Sequence, residues 1–231
     1  MIPIDIENKN LWLLFEFHGE KIYLTESMVS TWVVMLILII LAIVVRIKLN
    51  FFKDKPSGLQ NIIEIAIESI DNLVKSTMGE KLEFLSGYFF SIFAFILFAN
   101  YIGLVGLRPP TTDLAVTLPL ALSTFILIHC LGIAMQKGGY FKDYLRPNPV
   151  FLPLNIIGEF AKPLSLSFRL FGNMFGGFII VQLVYSMLPF FLRFILPDIV
   201  HVYFDIFAGA LQAFVFTMLS MSFIKLKAIN D

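Results

Sequence analysis

Five apolar stretches, each long enough to cross a lipid bilayer, restrict this chain more than any other feature. The clearest is "MVSTWVVMLILIILAIVV", which begins at Met28. A spanning helix needs about 20 mostly apolar residues, rising about 1.5 Å each, to cross a hydrocarbon core about 30 Å thick. Residues 28–50, 84–107, 114–136, 152–188 and 197–228 meet that requirement. No water bonds to the backbone inside hydrocarbon, so each stretch is predicted to be a helix. Composition agrees, with 58 % hydrophobic residues and 15 % charged ones, against about 25 % charged in a soluble domain. The predicted fold is an all-α integral membrane protein, one membrane domain over residues 1–231 with five crossings. The formal net charge of zero gives no reason to expect a nucleic-acid partner. The single cysteine, Cys130, excludes an internal disulfide framework and any CxxC metal site. It reads as an apolar packing residue. Residues 1–27 form an outer segment without a basic n-region, so no cleaved signal peptide is expected.

Between the first two crossings, "GLQNIIEIAIESIDNLVK" has a different pattern. Leu59, Ile62, Ile63, Ala66, Ile70, Leu73 and Val74 follow helical spacing, with Glu64, Glu68, Asp71 and Lys75 on the other side. Residues 56–82 are therefore predicted to be an amphipathic interfacial helix, on the membrane surface or against a partner. A plain solvent-facing connector is the alternative. Lys and Arg set orientation. Arg46, Lys48, Lys53, Lys55, Lys75 and Lys81 share one side with Lys137, Lys142, Arg146, Lys225 and Lys227. The other side has Lys9, Lys21, Arg108 and Arg193. The N-terminus is expected outside and the C-terminus in the cytoplasm.

The last two apolar stretches are long. Residues 152–188 would span about 55 Å as a helix. Crossing a core of about 30 Å demands a tilt of roughly 57°, beyond the usual range of about 0–40°. Two strongly inclined helices are predicted, the first bent at Pro163. Interfacial end pieces are the alternative.

Inside the first of these stands Arg169, in "SLSFRLFGNMFGG". An arginine at mid-membrane costs about 2.5 to 17 kcal/mol, depending on how it is measured, and it does not deprotonate in proteins. It needs a partner charge, a water cavity, or a snorkelling route to the interface. Ser165, Gly172, Asn173 and Gly176 lie at helical spacings from it and share its face. That face is narrow, and "GNMFG" is a GxxxG pattern that lets another helix approach. Together they suggest a groove in which a carboxylate meets Arg169.

The last stretch carries a second polar stripe, His201, Asp205 and Gln212. Seven residues apart, Asp205 and Gln212 share a face and fit a wet path for protons or small cations. A structural Asp205–Arg169 ion pair is the alternative. Glu159 either lines the same path at another depth or pairs with Lys162. Asp113, in "RPPTTDLAV", is an inlet residue or a helix N-cap. His18 reads as a surface residue and His129 as packed or hydrogen-bonded. No metal, nucleophile or phosphate-loop motif is present, and no cofactor is expected.

"KPLSLSFRLFGNMFGG" closely resembles subunit a of the bacterial rotary (F-type) ATP synthase membrane sector. The resemblance runs from about Met28 to the C-terminus and includes "LRPPTTDLAVTLPLAL", "RPNPVFLPLNIIGEFAKP" and "GALQAFVFTML". It implies a non-catalytic stator in the bacterial plasma membrane. The partners it implies are a rotating ring of c subunits, the b-subunit peripheral stalk and membrane lipid. Two offset half-channels would carry a proton or a sodium ion to and from the ring carboxylates. Arg169 matches the family's essential arginine, Asn173 and Gln212 the polar residues around it, and Asp205 a titratable or polar position on the last helix. Glu159 and Asp113 match acidic positions before the arginine motif and near the outer inlet. Many members read "GNxxAGE", but here Phe178 stands in the glutamate's place. If that glutamate relays ions elsewhere, Asp205, with or without His201, serves here. The fixed Arg169 charge would make an arriving ring carboxylate release its ion and would bar a direct leak between half-channels.

Two rivals make different demands. A stand-alone cation channel or secondary transporter predicts internal inverted repeats, and no repeat relates the halves of this chain. A membrane-embedded enzyme needs a nucleophile–base pair or metal ligands at membrane depth, and the sequence has neither.

Overall fold

The computed structural model describes residues 10–17, 20–49, 52, 58–136, 139–140, 148–187 and 200–228. It opens with strands β1 (Asn10–Phe17) and β2 (Glu20–Thr25), paired antiparallel. The sequence reading assigned no strand to this outer segment. Trp12, Phe15, Phe17, Ile22 and Tyr23 are the aromatic and β-branched types that favour a pleated ribbon. His18 lies outside the described residues.

Helix α1 (Glu26–Lys48) follows directly. It buries only Ser27, Ser30 and Val34, while Leu36, Ile39, Ile40 and Ile43 are exposed. An apolar helix with so little protein around it needs hydrocarbon as its solvent. Helix α2 (Leu59–Met78) is the predicted amphipathic helix. Its ends are marked by Gly58 and Gly79, at φ 59° and 83°, where a side chain would be strained. The C-terminal half of α2 buries Ile70, Val74 and Met78, while Leu59, Ile62 and Ile65 in the N-terminal half are exposed. It is thus more than a solvent-facing connector. At its end the exposed Lys75 pairs with Glu83 at 2.8 Å. That hydrogen bond raises the pKa of Lys75. The small stabilisation is present at neutral pH and is lost only as pH rises through that raised value.

Helix α3 (Ser86–Tyr101) has 3₁₀ turns on both sides, Glu80–Leu85 and Ile102–Val105. Helix α4 (Leu114–Gln136) has the predicted bounds. Helix α5 (Leu152–Met187) contains Pro163 and remains helical on both sides of it. Helix α6 begins with π-helical turns, Val202–Ala208, and continues as α-helix through Gly209–Ala228. The π-helical turns were not foreseen. Counting α3 with its 3₁₀ flanks, α1, α3, α4, α5 and α6 are long and apolar enough to cross a membrane.

The chain divides into two compact units. The first draws on Met1–Ile47, Ala94–Val116 and Leu170–Ala213, the second on Lys48–Phe93, Thr117–Arg169 and Phe214–Asp231. The second contains a cluster of Ile70, Val74, Met78, Leu82, Phe89, Ile128, Met221 and Ile224. Hydroxyl pairs link its helices, Thr117 with Ser167 at 3.1 Å and Tyr88 with Ser123 at 3.2 Å. Interhelical hydrogen bonds of this kind hold helices together where lipid supplies no hydrophobic drive.

The same unit buries a charged cluster. Glu159 receives Lys162 Nζ at 2.9 Å and Lys227 Nζ at 3.0 Å. Gln136 Nε2 donates to the Lys227 carbonyl at 2.8 Å. One carboxylate therefore holds two ammonium groups, and removing it takes this counter-charge from both. Glu159→Ala is expected to destabilise the protein by about 3–5 kcal/mol, read by thermal unfolding in detergent, while Glu159→Met combined with Lys162→Met and Lys227→Met recovers most of that loss. A side chain on Gly132 would come within 2.7 Å of the ring of buried Tyr140. Gly132→Ala is expected to cost about 1–3 kcal/mol by overpacking, whereas Cys130→Ser, at an exposed neighbouring position, leaves the melting temperature unchanged.

Candidate functional site: an exposed arginine and a polar cavity

Arg169 is exposed on α5. Ser165, Gly172 and Asn173, which share its helical face, are exposed too. A Cβ built at Gly172 or Gly176 would meet nothing within 4 Å. The face that the sequence marked as narrow is therefore open. Among the described residues Arg169 forms no ion pair. The carboxylate of Asp205 belongs to His201 instead, so the structural Asp205–Arg169 pair does not form.

Within the first unit, the second half of α5, the start of α6 and the stretch after α3 enclose a cavity of about 290 Å³. Arg108, Asn173, Phe178, Tyr185, His201 and Asp205 are among its lining residues. The volume admits several waters, and the polar lining gives them partners. His201 Nδ1 and Asp205 Oδ2 are hydrogen-bonded at 2.6 Å, joining residues four apart at the entry to the π-helical turns. Asp205 is itself buried. A hydrogen-bonded carboxylate and imidazole beside a wet cavity can exchange a proton, or offer oxygen to a small cation.

Gln212 does not join Asp205. Its Oε1 accepts from Asn173 Nδ2 at 2.7 Å, tying α6 to α5, and Asn173 in turn lines the cavity. Gln212 Nε2 is buried with no hydrogen-bond acceptor among the described residues. The shared face predicted for Asp205 and Gln212 assumed α-helical spacing. The wide turns of Val202–Ala208 change that phase.

Glu159 lies in the other unit, held by two lysines rather than lining this cavity. Asp113 caps α4, its Oδ1 accepting the Ala115 backbone N–H at 2.9 Å. Its role as a cap needs no ion path. His129 Nδ1 contacts the Phe125 carbonyl at 2.9 Å, as expected of a packed histidine.

Sequence reasoning missed Arg108, Tyr185 and Asn100. Arg108 entered only as a loop charge, yet it is buried, donates Nε–H to Thr112 Oγ1 at 3.2 Å, and lies 5.0 Å above the Phe178 ring. Phe178 thus presents an aromatic face to a cation. The departure at Phe178 was the available signal, and an arginine among its neighbours would have been the residue to seek.

Comparisons with known proteins point to one family. The family model for the ATP synthase A chain matches residues 28–225. ATP synthase subunit a of Moorella thermoacetica is 34 % identical over 90 % of this chain and 93 % of its own length. The subunit a of Syntrophobacter fumaroxidans is 36 % identical over 84 % of this chain and 80 % of its own. A sodium-ion-specific ATP synthase subunit a from Propionigenium modestum is 34 % identical over 87 % and 73 %. A family match across most of the chain, with an exposed arginine on a small-residue face and five apolar helices, places this protein in the ATP synthase subunit a family.

Proposed function

We propose that the chain is the ion-translocating stator of its ATP synthase and that Arg169 is the coupling charge. The supporting observation is the exposed, glycine-backed face of α5. A cation costly to place in hydrocarbon has no ion-pair partner among the described residues and stands beside a strip that another helix can approach. The missing counter-charge is a carboxylate on a c-subunit ring. Facing Arg169, that carboxylate gives up its ion because the fixed cation favours its charged form.

The cavity lined by Asp205 and His201 serves as one of two offset half-channels, with Asn173 in its lining and Gln212 bonded to Asn173. Ser165 extends the same face. Glu159 supports the fold through its lysines, and Asp113 sets the start of α4. The b-subunit stalk and membrane lipid complete the surroundings. Positive loops put the C-terminus in the cytoplasm and the N-terminus outside. Each elementary charge crossing 100 mV releases about 2.3 kcal/mol. Rotation carries it to catalytic subunits elsewhere in the complex, and this chain makes and breaks no covalent bond.

The transported ion is a proton or a sodium ion. Arg169→Ala is expected to reduce ATP-driven ion pumping to background in inverted vesicles carrying the whole complex, while ATP hydrolysis by the detached soluble sector persists. The sodium dependence of the wild type names the ion. Pumping by the variant at near wild-type rate would make Arg169 a structural charge.

A further inference from the structure

We infer that Asn100 and Gly103 are positioning residues for Asp205, holding the π-helical turns of α6 so that its carboxylate faces the cavity. The inference rests on the reading of Asp205 as an ion-pathway residue.

Seven residues of π-helix form an unusually long departure from α-geometry, which in most proteins is a single-turn bulge. Wide turns rotate the residues before them relative to those after them. Where His201 and Asp205 point is therefore set by how those turns are held. Asn100, on the last turn of α3, is fully buried. Its Nδ2 donates to the carbonyl of Gly209, the residue at which the π-helical turns give way to α-helix, at 3.0 Å. Its Oδ1 accepts from Thr111 Oγ1 at 2.7 Å. Both ends of the amide are engaged, so it is held in one orientation. A Cβ on Gly209 would lie 2.9 Å from the Asn100 Cβ, so only glycine lets the backbone come this close.

Three residues beyond Asn100, Gly103 provides the seat for the carboxylate. A Cβ there would lie 2.9 Å from Asp205 Oδ2 and 3.2 Å from Pro109 Cγ. The absent side chain leaves space that the carboxylate occupies. Asn100 therefore holds the end of the wide turns while Gly103 accommodates the group they present. The other charged or titratable groups lining the cavity are Glu26, Arg108, Tyr185 and His201. Neither Asn100 nor Gly103 titrates, so their effect on ion transfer passes through the placement of Asp205.

The test measures ATP-driven ion pumping against pH in vesicles carrying the whole complex. It compares wild type, Asn100→Leu, Gly103→Ala and Asp205→Asn, each normalised to assembled complex. Asn100→Leu and Gly103→Ala are each expected to slow pumping about tenfold or more, as a small misplacement of a reacting group does. Each is also expected to displace the pH profile, because the carboxylate's surroundings change. Fewer complexes would lower the amplitude at every pH without moving the profile. If Asn100→Leu fails to assemble, Gly103→Ala decides. A wild-type profile for Gly103→Ala overturns the inference. If Asp205→Asn is inactive in that case, the reading of Asp205 survives and only the positioning role falls. A wild-type profile for Asp205→Asn overturns the ion-pathway reading, and the positioning role with it.

Discussion

A guanidinium that cannot lose its charge stands at Arg169, in an apolar and glycine-rich stretch of α5. Hydrocarbon makes that charge expensive. A soluble protein would surround such a group with water, and a merely structural arginine would be paired within its own chain. Here it is left exposed, with small residues following it on one face of α5. Among the described residues, the buried charges have partners. Glu159 holds two lysines, Asp205 holds His201, and Arg108 is bonded to Thr112 over the face of Phe178. Against that background the exposed Arg169 is the observation on which the proposed partner surface rests.

The cavity follows from the same physics. Polar groups at membrane depth need partners or water, and the first unit supplies both. Asn173 supplies a donor to the Gln212 carbonyl oxygen, and Asp205 and His201 are hydrogen-bonded at the cavity wall. The π-helical turns are tolerated because Asn100 and Gly209 meet backbone to side chain, without a bulky residue between them. Irregular backbone at membrane depth survives only where protein or a wet cavity surrounds it, and these turns border such a cavity.

Much of this was legible from residue order. The bounds of α4 and the near-complete extent of α5 came directly from apolar length, because hydrocarbon thickness sets the length of a crossing. The amphipathic helix came from its period. The hairpin did not, because a short outer ribbon of aromatic residues resembles a fragment of apolar surface until its two strands pair. The π-helical turns left no trace in spacing either. Periodicity arguments presume a constant angle per residue, so Asp205 and Gln212 were assigned one face, and the structure gave them different partners.

The sequence by itself determined the membrane class, the number of crossings, the exposed arginine's place and its small neighbours. Each of these is a property of local composition or of fixed helical spacing. Only the tertiary structure decided that Asp205 belongs to His201, that Gln212 belongs to Asn173, and that Arg108 lies over Phe178. Only it showed Glu159 committed to two lysines. These pairings join residues far apart in the chain or depend on a non-α turn. Their choice rests on which side chains meet in a dry interior, where each buried polar group takes the partner within reach.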